Sequence, residues 1–241
     1  MSLFVMGDTH LAFGVPEKSM EIFDGWQNYQ ARIAENWKRI VKPEDVIVLA
    51  GDISWGMNLE QAKPDFNFLN NLTGKKIILK GNHDYWWNSM KKMTDFFQKN
   101  NFDSLYILHN NCYAYENIAI CGTRGWVNIP NEVNIFEKSS DQNIIDNQKI
   151  LAREQQRLRV SLQEAVKKNL MPIVFLHYPP VYWGNYNKLM LEVLQEFGVT
   201  DCYYGHLHGK THARATKGYE NGICYHLISG DYLQFIPEKV L

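Results

Sequence analysis

Apolar positions in the first hundred residues switch repeatedly between two periods. The short runs Leu3-Phe-Val-Met6, Val46-Ile-Val-Leu-Ala50 and Lys76-Ile-Ile-Leu79 are each followed by a stripe at helical spacing. The first stripe is Trp26, Tyr29, Ile33, Trp37, Ile40 and Val41, and the second is Leu59, Ala62, Phe66 and Leu69, with Pro64 expected near that helix's start. The third is Trp87, Met90, Met93 and Phe97. Such runs predict strands, and the stripes predict amphipathic helices packed on them. Repeated strand-then-helix units imply parallel pairing within a helix-covered sheet.

The texture changes after residue 100. Segments 104–108, 112–116 and 117–121 read as sequential antiparallel strands, with Glu116-Asn117 as a hairpin turn. Residues 127–147 are polar, weakly periodic and rich in Asn, Ser and Asp. They read as an irregular loop running into a helix with the stripe Leu151, Leu158, Leu162, Val166 and Leu170. Long loops in compact domains are often functional, so 127–147 is a candidate lid and equally a candidate surface excursion. From Pro172 the chain returns to strand, helix, strand, and ends in strand-like segments near 211–216 and 222–228. With no repeat or low-complexity tract, the expectation is one α/β domain over residues 1–241.

Composition narrows the function classes. The chain is 45% apolar and 21% charged with a formal charge of −1, which argues against a broad electropositive surface and does not favour nucleic acid as a partner. Cys112, Cys121, Cys202 and Cys224 form no CxxC pair, so a structural zinc site is not expected. Two of them fall in apparent strands, where a buried free thiol is expected. The chain enters a strand within three residues and no apolar stretch approaches the length of a membrane span. The expectation is a soluble, cytoplasmic protein with no membrane partner. No sequence pattern sets an oligomeric state.

The chemistry is concentrated where apolar runs end. Asp8-Thr-His10, Gly51-Asp52, Gly81-Asn82-His83-Asp84, His177 and Gly205-His206-Leu-His208 each directly follow a strand-like run. Any one of these is ordinarily a capped strand end or a turn. Five in order suggest ligands converging on the carboxyl edge of a sheet. Asp8 and His10 alternate about Thr9, and His206 and His208 about Leu207, so on an extended strand end each pair would share a face. Gly7, Gly51, Gly81 and Gly205 each precede a candidate ligand and leave space for a tight exit and an ion. Carboxylate, amide oxygen and imidazole together suit hard-to-borderline divalent ions, and the reading is a dinuclear metallohydrolase. His109, His212 and His226 lack such companions and read as structural or surface residues. Trp55, Trp86, Trp87, Trp126 and Trp183 lie on or after loops near the motif ends, where they could stack a base or pack helices. Arg124, in Gly122-Thr-Arg-Gly125, is a candidate phosphate clamp, with a surface ion pair as the alternative.

Across residues 8–208 this ordered series resembles the calcineurin-like metallophosphoesterase superfamily. The resemblance implies a four-layer α/β/β/α sandwich of two mixed sheets and two divalent metal ions, manganese, iron or zinc. It implies Asp8, His10, Asp52 and His208 around one ion, and Asp52, Asn82, His177 and His206 around the other. It further implies hydrolysis of a phosphate mono- or diester through a metal-bridging hydroxide, with His83 as general acid beside the substrate phosphate. Protein-phosphatase members follow Gly-Asp with a second Asp and then an Arg, whereas this chain has Ile53-Ser54-Trp55-Gly56. That departure disfavours a phosphoprotein substrate, leaves the partner that orients His83 unassigned, with Asp84 a candidate support, and makes a small-molecule phosphate ester the expected substrate. A nuclease of the same family and a catalytically silent binding scaffold are the alternatives. Near-neutral charge counts against the first, and the complete ligand set against the second.

Overall fold

The computed structural model describes residues 1–126 and 141–241. Most of the candidate lid at 127–147 therefore lies outside the described residues. Along the chain run β1 (Leu3–Met6), α1 (Tyr29–Ile40), β2 (Val46–Ala50), α2 (Leu59–Asn71), β3 (Lys75–Leu79), α3 (Met90–Lys99) and β4 (Leu105–Ile107). They are followed by β5 (Tyr113–Tyr115), β6 (Ile118–Thr123), α4 (Asp141–Lys167), β7 (Met171–Leu176), β8 (Val181–Tyr182), β9 (Asn185–Tyr186), α5 (Lys188–Glu196) and β10 (Asp201–Tyr204). The last strands are β11 (Gly218–Glu220), β12 (Ile223–Leu227) and β13 (Glu238–Lys239).

Sequence patterning treats residues 1–241 as one domain; the fold groups them into two compact units, each built on one large mixed sheet. The first unit comprises Met1–Ile107, Gly205–His212 and Ile228–Leu241. Its sheet has the order β13-β1-β2-β3-β4, parallel from β1 to β4 with β13 antiparallel at the edge. Strands β1 and β2 are buried at every position, as the unbroken apolar runs require of a parallel sheet covered on both faces. Phe4, Met6, Ile47, Leu49 and Ile78 form one core with Ile33 and Trp37 of α1, Phe66 and Leu69 of α2, and Met93 and Phe97 of α3. Asn58 starts α2 by accepting the Gln61 amide at 3.0 Å, and Ser89 plays the same part for α3. Two local expectations change. Pro64 sits inside α2, because Asn58 sets the helix start. Trp87 precedes the Ser89 cap and therefore belongs to the loop before α3.

The second unit comprises Leu108–Tyr204 and Ala213–Leu227. Its sheet has the order β11-β12-β10-β7-β6-β5, with parallel pairing from β12 to β6 and an antiparallel strand at each edge. The predicted hairpin between β5 and β6 forms, with Glu116 in the left-handed region (φ 51°). β4, expected to pair antiparallel with its successors, instead extends the first unit's sheet parallel to β3. Residues 209–214 form a 3-10 turn rather than a strand. Leu151, Leu158 and Leu162 of α4 are buried, but Val166 is exposed, so the helical stripe leaves the core one turn early. No helix among the described residues is long and apolar enough to cross a membrane.

Candidate metal centre

Four candidate ligands of the first unit sit on backbone that strands cannot supply. β1 stops at Met6, and Asp8, His10, Asp52 and His206 take φ values of 57°, 43°, 51° and 72°. Left-handed φ is uncommon for residues other than glycine and costs on the order of 1–3 kcal/mol each. The extended Asp-x-His and His-x-His ends expected from alternation are therefore replaced by tight reversals. Hydrogen bonds between loops hold the strained backbone. The Asp8 and His10 amides donate to Gly51 and Asp52 carbonyls, each at 2.9 Å, and Thr9 Oγ1 donates to the Ile53 carbonyl at 3.0 Å. Tyr29 Oη donates to the His10 carbonyl at 2.7 Å. Two glycines make this closeness possible. A Cβ on Gly81 would stand 2.1 Å from Asp52 Oδ1, and one on Gly205 would stand 2.3 Å from Asp8 Oδ2.

These reversals bring together seven of the sequence-predicted residues. Asp8, His10 and His208 offer ligand atoms that all lie within 4.8 Å of one another. His10 Nε2 is 3.3 Å from His208 Nε2 and 3.6 Å from Asp52 Oδ2. Asn82 Oδ1 lies 3.0 Å from His206 Nδ1, and the His206 amide donates to Asp8 Oδ2 at 2.9 Å. The His83 amide donates to Asp52 Oδ1 at 2.8 Å, which ties the Asn82-His83 turn to the Asp52 carboxylate. The His83 ring packs on Trp55 at 4.3 Å, while its Nδ1 is buried without a hydrogen-bond partner among the described residues.

Charge is crowded here. Burial first, then Asp84 and Asp8, hold the Asp52 carboxyl well above the usual carboxylate range. Burial and the other histidines push His10 down, and burial with His208 and His83 brings His206 to about 3. Burial opposes charge on His208, but the Asp8 and Asp231 carboxylates outweigh it and hold that imidazole at about 10. Burial, helped by His208, lowers His83 to about 4. Packed carboxylates facing imidazole nitrogens at ligand-to-ligand separations fit divalent cations, which would replace the His208 proton as the source of positive charge.

Two further carboxylates complete the arrangement: Asp84, a candidate support from sequence, and Asp231, which sequence reasoning missed. Asp84 is fully buried and accepts from the amides of Gly81 (2.7 Å), Ile53 (2.8 Å) and Ser54 (3.3 Å) and from Trp86 Nε1 (2.9 Å). It fastens the loops bearing Asp52 and Asn82 to each other, and its oxygens face those donors rather than the His83 ring. Asp231 Oδ1 accepts from His208 Nδ1 at 2.9 Å, while Oδ2 accepts from the Gly209 amide at 2.9 Å and lies 3.2 Å from His212 Nε2, which is also 3.1 Å from the Leu207 carbonyl oxygen. The Oδ1 bond fixes the His208 ring with Nε2 toward His10. A weak signal for Asp231 is present in the sequence: the strand-like segment 223–228 is followed, after Ser229, by Gly230-Asp231, much as 46–50 is followed by Gly51-Asp52.

The other predicted residues are described by their surroundings within their own unit. His177 belongs to the second unit, where it is buried at the end of β7 and its amide donates to the Arg124 carbonyl at 3.1 Å. Arg124 pairs with buried Glu154 at 3.3 Å and lies over Trp126 at 4.6 Å, the ion-pair alternative to a clamp. Trp86 packs in the first unit's core edge-on to Phe66, whereas Trp183 is exposed beside Arg214.

No curated protein matches the chain. Among solved structures, a protein of unknown function, AQ665 from Aquifex aeolicus, covers 99% of this chain and 95% of its own at 16% identity and a TM-score of 0.54. Phosphopantetheinyl hydrolase from Mycobacterium tuberculosis covers 100% of this chain and 95% of its own at 11% identity and a TM-score of 0.54. At such identities the likeness establishes the fold alone. The model of the calcineurin-like phosphoesterase family matches residues 1–210, and the chain belongs to that family of metal-dependent phosphoesterases.

Proposed function

We propose that the chain hydrolyses a small phosphate mono- or diester at a centre of two divalent ions. Asp8, His10, Asp52 and His208 would hold one ion, and Asp52, Asn82, His177 and His206 the other. Bound there, the ions would supply Lewis acidity toward the phosphate and a water-derived nucleophile near neutral pH. The observation that carries this reading is the clustering of strained, left-handed Asp8, His10, Asp52 and His206, since such strain persists where function requires it.

The protein's own groups would act around those ions. Asp231 holds a proton on His208 Nδ1, leaving Nε2 free of hydrogen as a ligand. Asp84 keeps the Asp52 and Asn82 loops at fixed separation. His83 Nδ1 is buried, so Nε2 is the nitrogen available to a substrate. Burial keeps the ring neutral, and the negative charge of a bound phosphate is what would bring it the proton it passes to the leaving oxygen. Trp55, packed against His83, would wall the same side of the substrate.

The test is a panel of phosphate mono- and diesters, including a phosphopantetheinyl diester, assayed after manganese reconstitution with metal content measured alongside. About two ions per chain and turnover of an aryl phosphate ester are expected. Turnover confined to single-stranded DNA would establish the nuclease alternative, and absence of both metal and turnover the scaffold. Asp52→Asn should weaken both ions together, and unchanged stoichiometry and rate in that variant would refute the shared carboxylate.

A further inference from the structure

A second group of ligand-type side chains lies wholly within the second unit and takes no part in the centre above. Asp201 of β10 is the register partner of Cys224 of β12, and Tyr203 is the partner of His226. Alternation along paired strands therefore puts Asp201, Cys224 and His226 on one face, while Cys202, Tyr204, Tyr225 and Ile223 are buried on the other. Their carboxylate oxygen, thiol sulfur and imidazole nitrogen lie within 4.8 Å of one another. His226 Nε2 is 3.2 Å from Asp201 Oδ1, a spacing that two ligands about 2 Å from a tetrahedral ion adopt.

The imidazole is held in place before any ion arrives. His226 stacks on Tyr203 at 4.2 Å with a 10° interplanar angle, and Tyr203 stacks on Phe175 of the neighbouring β7 at 5.2 Å. This ladder of rings crosses the sheet in register, so little ring freedom remains to be lost on binding. Asp201 is fixed from its other oxygen, which accepts from Thr200 Oγ1 at 2.9 Å. Cys224 is half-buried, whereas Cys112, Cys121 and Cys202 are buried. The absence of a CxxC pair disfavours a structural zinc site read from sequence spacing, but cross-strand register assembles a mixed donor set that sequence spacing cannot display.

We infer that Asp201, Cys224 and His226 form a third metal site, selective for zinc or cobalt(II), with solvent as the fourth ligand. One thiolate, one imidazole and one carboxylate are a borderline-soft set that suits those ions better than magnesium or calcium. A thiol binds an ion as thiolate, so the ion must displace its proton and binding weakens on acidification. A bound ion would staple β10 to β12.

Cobalt(II) titration of the full chain tests this, because no residue assigned to the dinuclear centre is a thiol. Wild-type protein should develop a thiolate-to-cobalt charge-transfer band, and Cys224→Ser should lose that band while keeping ester hydrolysis. In parallel, iodoacetamide should modify Cys224 first in the native wild-type protein, and zinc at ten times its dissociation constant should slow that reaction about tenfold. His226→Ala should abolish the protection. Overturning results are a wild type without the band, zinc that leaves alkylation unchanged, or protection that grows with protein concentration and so reflects zinc shared between chains. The alkylation experiment uses unaltered protein, so a poorly folding variant does not remove the test.

Discussion

Replacing Asp231 by Asn tests whether the candidate centre depends on a carboxylate that binds no ion itself. Its carboxylate accepts from His208 Nδ1 at 2.9 Å and the Gly209 amide at 2.9 Å, with His212 Nε2 at 3.2 Å. An asparagine has one acceptor oxygen, so its NH2 must face a donor whichever way the amide is turned. One charge-assisted hydrogen bond is lost, worth roughly 1.5–3 kcal/mol. That corresponds to about a 10- to 150-fold loss in affinity, overlapping the 10- to 100-fold usual for groups that orient metal-ligating histidines. The loss should fall on the ion proposed for His208, while the second proposed ion keeps its affinity. Manganese titration calorimetry would resolve the two steps, and ester hydrolysis should fall in parallel at limiting metal and recover at saturation. His212→Ala serves as the control, since it removes a neighbour of Asp231 without disturbing the His208 bond. Wild-type affinity at both steps would refute the orienting role. Equal weakening of both steps, with a lowered melting temperature in chelator, would show that Asp231 merely holds the fold.

Other expectations follow from single contacts. Gly81→Ala places a methyl carbon 2.1 Å from Asp52 Oδ1 and 2.2 Å from Asp52 N, so the Asp52 loop must move. It should lose metal pairing and cost about 1–3 kcal/mol in chemical denaturation, and intact metal stoichiometry would contradict the close approach. His83→Asn should retain both metals yet lose roughly 10²–10⁴-fold in turnover of alkoxide-leaving esters, with a smaller loss for nitrophenyl esters. Equal losses for the two ester classes would rule out leaving-group protonation. Burial raises the Asp65 carboxyl from 3.8 to about 6, despite hydrogen bonds from Ser54 Oγ and the Phe13 amide. The folded state therefore binds this proton more tightly than the unfolded chain, and the associated stability is complete below pH 3.8 and lost as pH rises through about 6. Asp65→Asn should flatten that part of the stability profile, and an unchanged slope would assign it to another group.

Strand-helix alternation over the first hundred residues was legible because both periods come from local backbone geometry and burial of one face. The buried positions of α1, Tyr29, Ile33 and Trp37, are the ones its stripe marks. The candidate ligands were legible because each stands directly after an apolar run, where a sheet ends. Tertiary structure decided the rest, since it depends on groups distant in sequence. β4 joins β3 rather than β5 because pairing partners are chosen by the assembled sheet. Asp8, His10, Asp52 and His206 hold left-handed backbone that alternation cannot foresee, because the compensating hydrogen bonds come from other loops. Asp84 stands in a motif and Asp231 follows a glycine as Asp52 does, but what each holds in place is set by the donors folded onto it. Asp201, Cys224 and His226 share a face through the register of β10 on β12, a relation fixed by hydrogen bonds between strands and invisible to spacing along the chain.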